Sequence, residues 1–102
     1  MTLHDFRDIL LTADPNASHY ESSKKENYTV WAEYGAKGLM ADNRLQEGVW
    51  RIQVDRFTKI EYDPMITAIN SALDRDDITF EYQVDYEEDT GYIHHIWDCS
   101  VA

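Results

Sequence analysis

Leu3, Phe6, Ile9, Leu10 and Ala13 recur at the spacing of one helix face, with Thr2 and Asp5 placed as a capping box. Asp14-Pro15 stops the run, so a first helix is expected over residues 2–13. Asn16 to Asn27 is polar and reads as a connection that carries part of a strand around His19-Tyr20, with only the tyrosine expected to be buried. In Tyr28 to Tyr34 the period changes to two, setting Tyr28, Val30, Ala32 and Tyr34 on one side and Thr29, Trp31 and Glu33 on the other. Gly35 to Gly48 holds three glycines, Asp42-Asn43 and several charges, and is expected to be a flexible loop or mobile arm. Alternation returns from Val49 to Phe57, where Trp50, Ile52 and Val54 oppose Arg51, Gln53 and Asp55, as in a strand antiparallel to the one before it.

Asp63-Pro64 has the form of a helix start, and Met65, Ile66, Ile69, Ala72 and Leu73 form an apolar stripe that predicts a second helix to about Arg75. Phe80, Tyr82, Val84 and Tyr86 then alternate with Glu81, Gln83 and Asp85. A turn over Glu87 to Gly91 leads into a final strand, Tyr92 to Val101, with Ile93, His95, Trp97 and Cys99 on one face. The predicted order is α-β-β-α-β-β. Because short links join the strands in pairs, the expected class is α+β, an antiparallel sheet with two helices on one face.

Length and charge narrow the functions. At 102 residues the chain is expected to form a single domain, 1–102, around one core. Nine Lys+Arg against 20 Asp+Glu leave a formal charge of -11, which repels phosphate and argues against nucleic-acid readers and binders of anionic membranes. Cys99 is the single cysteine, which rules out an internal disulfide and suits a reducing cytoplasm. The opening Met1-Thr2-Leu3-His4-Asp5 lacks the basic start and apolar run of a signal peptide.

Candidate chemistry is sparse. His94 and His95 are adjacent on a strand, point to opposite faces and cannot hold one ion together. Glu87-Glu88-Asp89 lacks the spacing of a calcium loop and reads as a solvated hairpin tip. His95 and Cys99 share a strand face but lie roughly 13 Å apart at ~3.3 Å per residue, too far for a thiolate–imidazole pair. No nucleophile elbow or phosphate loop occurs. The expectation is therefore a protein that is not an enzyme, with no catalytic residue, metal or cofactor. Trp31 and Trp50 on the first hairpin, together with Leu39, Met40, Asp42, Asn43, Arg44 and Leu45 of the loop, are the candidate partner-binding residues.

The opening Met1 to Arg7, the segment Tyr28-Thr29-Val30-Trp31-Ala32-Glu33-Tyr34, and Ala41-Asp42-Asn43-Arg44 resemble small tail proteins of Firmicute long-tailed phages and prophages. So do the runs Asp55 to Pro64 and Tyr86 to His95. The resemblance spans nearly the whole chain and is to tail terminators (tail-completion proteins), which form a ring, usually hexameric, that caps the tail tube and docks it to the filled head. It implies a virion assembly protein whose partners are further copies of itself and tail-tube or head-connector proteins, with DNA only a passing occupant of the ring channel. It places the protein in the bacterial host cytoplasm during assembly and then in the virion. The rival expectations are a head-completion adaptor and an acidic inhibitor or antitoxin-like binding module.

Overall fold

The structure is a computed structural model that describes residues 1–41 and 44–102, with side chains described outside 39–47. Helix α1 covers Leu3–Ala13. The Asp5 amide donates to the Thr2 hydroxyl, and the Thr2 amide donates to the Asp5 carboxylate, each at 3.0 Å. This capping box satisfies two of the amides a helix start leaves free and holds the Asp5 carboxyl below its ordinary range. Asp14 closes the helix, its amide donating to the Leu10 carbonyl.

Strand β1, Ser18–His19, pairs parallel with β2, Tyr28–Ala41, at Ser18↔Val30 and His19↔Trp31. The expectation of a purely antiparallel sheet is thereby corrected, since this short strand makes the sheet mixed. Tyr20 is also not buried. Its backbone turns left-handed (φ 69), which swings the side chain outward to 63% exposure, and His19 stacks on the Trp31 ring instead at 3.9 Å.

β3, Arg44–Thr58, pairs antiparallel with β2. Helix α2, Pro64–Leu73, is followed by β4, Ile78–Glu87, and β5, Tyr92–Val101. The strands lie in the order β1-β2-β3-β5-β4, an α+β fold with five strands and two helices. Where a loop is expected from Gly35 to Gly48, β2 continues to Ala41 and β3 begins at Arg44. β5 joins β3 only from Trp50 onward, so the earlier residues form a two-stranded ribbon projecting past the sheet. Two register slips, at Glu33/Gly35 and Gly38/Leu39, break the period of two there, which is why the ribbon does not read as strand.

One core joins Phe6 and Leu10 of α1 and Ile69 and Leu73 of α2 to Trp31, Ile52, Val54, Trp97, Cys99 and Val101 of the sheet. Each fully buried large side chain contributes about 1.5–3 kcal/mol of transfer free energy. Helix α2 begins as expected, with the Met65 amide donating to the Asp63 carboxylate at 3.0 Å and Pro64 at the first turn. It ends at Leu73, short of Arg75, whose guanidinium pairs with Asp77 at 3.0 Å and whose backbone bridges to Ile78.

A polar fastening lies beside this core. Arg56 of β3, only 7% exposed, meets the Asp63 carboxylate at 3.0 Å, the Asp14 carboxylate at 3.5 Å and the Thr29 hydroxyl at 3.3 Å. One guanidinium thus ties the end of α1 and the start of α2 to the sheet. Burial by itself would raise the Asp63 carboxyl, but hydrogen bonds from the Met65 amide, Thr58 and Arg56, with the charge of Arg56, outweigh it and hold the group below 3.8.

Candidate docking surface

Of the expected partner-binding residues, Trp31 and Trp50 are the two whose side chains are described. Trp31 is 3% exposed and packs edge-on against Phe6 at 5.5 Å, so it belongs to the core and cannot meet a partner. The slip after Glu33 does not change its side, because Trp31 faces the helices together with Val54 and Trp97. Trp50 is partly buried and packs against the same cluster. Leu39, Met40, Arg44 and Leu45 fall on the ribbon, at Leu39↔Gln46, Met40↔Leu45 and Ala41↔Arg44, while Asp42 and Asn43 lie outside the described residues.

The exposed apolar side chains concentrate elsewhere. On β4, Tyr82, Val84 and Tyr86 are 42%, 50% and 60% exposed, and the β3–α2 connection adds Ile60 and Tyr62 at 46% and 88%. Tyr82 pairs across β5 with Trp97, so this row faces the same way as the core but continues beyond the residues that α2 covers. The alternation of these residues is legible in the sequence. Their exposure is not, because a period of two fixes which residues share a face and does not say how far a helix reaches along it.

β4 is also the last strand of the sheet. All ten of its residues pair with β5 without a slip, and among the described residues no backbone hydrogen bond reaches its outer side between Thr79 and Tyr86. Its opposite face carries Glu81, Gln83 and Asp85, and the hairpin tip carries Glu87, Glu88 and Asp89. No Lys or Arg occurs after Arg75 in the chain.

The histidines lie on opposite faces. The His94 ring stacks on Phe57 at 4.1 Å, and its Nε2 lies 2.7 Å from the Asp55 carboxylate. His95 lies 2.6 Å by Nδ1 from the Tyr82 hydroxyl, and burial pushes its imidazole below the ordinary value. Its Nε2 is buried without a hydrogen-bond partner, and the ring borders an open hollow of about 300 Å³ lined by Glu61, Tyr62, Asp63, Pro64, Ile66 and Thr67. Cys99 is buried in the core and its thiol is pushed up to about 12, chiefly by burial, which leaves it unreactive at neutral pH. Among the described residues no group of three or more His, Cys, Asp or Glu side chains is placed to hold a metal ion, and no helix is long and apolar enough to cross a membrane.

No family model matches this chain, and no curated protein matches it significantly.

Proposed function

We propose that the protein works by stoichiometric docking, as a tail terminator or head–tail joining component of a phage or prophage virion. The observation that carries docking is the bare β4 edge with Tyr82, Val84 and Tyr86 standing exposed beside it. Soluble proteins usually blunt such an edge, and an unblunted one is a template for another strand. The ribbon of β2 and β3 offers a second, unlike surface at a distance from β4, as contacts between copies in a ring require. The charge of -11, repeated around a ring, would keep DNA moving through a channel without adhering. The tail-terminator role itself rests on the sequence resemblance.

The test adds purified protein to tails and to filled heads from the phage or prophage that encodes it, followed by negative-stain imaging and by solution mass. Rings at tail ends support the terminator reading. Density at head portals instead moves the protein to head completion. A monomer or dimer that binds neither overturns the reading in favour of an acidic inhibitor.

A further inference from the structure

We propose that the outer edge of β4 is the docking strand, and that its occupant is an extended segment of a basic partner protein whose apolar and cationic residues alternate. The inference rests on the docking part of the function proposed above and not on ring formation.

Protected edge strands are short, bulged, or interrupted by proline or lysine, so that foreign strands cannot pair with them. From Ile78 to Glu87 there is no proline, no lysine and no slip in register. The other side of the sheet differs, since β1 covers part of β2 and two slips distort β2 beyond that point. β4 can therefore offer a straight row of backbone donors and acceptors of the kind that captures an added strand.

Side chains on its two faces specify what that strand must carry. An added strand sends alternate residues to opposite faces. On the face shared with the core, they meet Tyr82, Val84 and Tyr86, so apolar residues are selected there. On the other face they meet Glu81 and Asp85, neither of which has an ion-pair partner among the described residues, so lysine or arginine is selected.

The β4 edge of a second copy is a poorer occupant by the same logic. Its β4–β5 hairpin holds no Lys or Arg, and two chains of -11 each repel before they touch. The acidic row thus protects the edge against self-pairing while leaving it open to a basic strand.

The test uses the full chain and a synthetic peptide of alternating lysine and valine, with amide chemical shifts and hydrogen exchange as the readout. Three control peptides keep the same lysine and valine content: one with lysines and valines in separate blocks, and two N-methylated at alternate backbone amides in opposite phases. Expected are shift changes and exchange protection confined to β4 and its neighbour β5. Binding should weaken about tenfold or more for the blocked peptide and for one of the two methylated phases. The variant Glu81→Lys/Asp85→Lys changes only exposed side chains and should lose the peptide while keeping its melting temperature. A peptide that binds the ribbon instead, binding indifferent to methylation in both phases, or no binding at all overturns the proposal. A monomer that takes the peptide keeps this inference and removes the ring, whereas a ring that ignores the peptide does the reverse.

Discussion

The two hairpins of this sheet solve different problems. The β4–β5 hairpin pairs ten residues with ten, without a slip, and turns on Gly91 at φ +78. The β2–β3 hairpin slips twice, carries Lys37, Arg44, Arg51 and Arg56, and leaves the sheet altogether beyond Trp50. Their attachment to the helices differs as well. β3 is held partly by the buried charges around Arg56. β5 is held by packing of Trp97, Cys99 and Val101 in the core, with the Trp97 indole donating to Asn70 of α2 at 2.8 Å. A uniform ladder can present a continuous edge, while slips let a strand bend away, so regularity in one hairpin and irregularity in the other match the surfaces each presents.

The largest effect should come from breaking the charged attachment. Arg56→Met leaves Asp14 and Asp63 buried beside one another without their cation, a loss expected to cost about 3–5 kcal/mol. Denaturant unfolding followed by tryptophan fluorescence measures it. If the cost is below about 1 kcal/mol, the cluster is hydrated and does not fasten the helices.

The apolar attachment is next. Ile69→Ala and Leu73→Ala each remove a fully buried side chain facing the sheet and should destabilise by about 2–5 kcal/mol. Tyr86→Ala, on the same sheet face but 60% exposed, should stay within about 0.5 kcal/mol. A large loss at Tyr86 would mean that the uncovered stripe is part of the core.

Acid sharpens the contrast. His95 titrates below its ordinary 6.5 when folded, so as pH falls the unfolded chain takes up that proton first and stability begins to decline below about 6.5. Asp63 is held below 3.8 in the folded state, so its contribution persists above that value and is lost as pH falls through it toward the folded value. Two steps in the same direction are expected in the unfolding midpoint against pH. His95→Phe should remove the upper step and leave the lower one, and a profile flat from pH 7 to 5 in the native protein would contradict the burial of His95.

Legibility in the sequence divides along the same line. Both helices, the β4–β5 hairpin and the facing of every residue from Phe80 to Tyr86 follow from strict periodicity and caps. The ribbon escapes such a reading because its two register slips break the period of two. β1 is visible only as a hint, since Ser18–His19 is too short to carry a period and its parallel partner lies beyond a polar connection. By the period of two Arg56 shares the face of Trp50, Ile52 and Val54, so the sequence shows a charge on the apolar side without naming its partners. A lone arginine among alternating apolar residues does not announce that Asp14 and Asp63, distant in sequence, will meet it. The docking surface suffers the same limit, because exposure of Tyr82 and Val84 depends on where α2 stops.

The smallest effect on stability should come from removing the ribbon, and that is what makes its removal informative. Lys37 pairs with Val49, immediately outside the point at which β5 joins the sheet at Trp50. Replacing residues 38–48 by Asn-Gly would connect this pair through the two-residue turn that suits a right-twisted hairpin. Every core residue among those whose side chains are described lies outside the deletion, and the unfolding free energy is expected to change by no more than about 0.5 kcal/mol. β4 is untouched, and the lysine–valine peptide should bind as before. If the ribbon makes the contact between copies or with the tail tube, the shortened protein should fold and bind peptide yet fail to restore infectious particles in a complementation assay. Particles that form normally would remove the ribbon from assembly and leave the bare β4 edge as the surface on which docking depends.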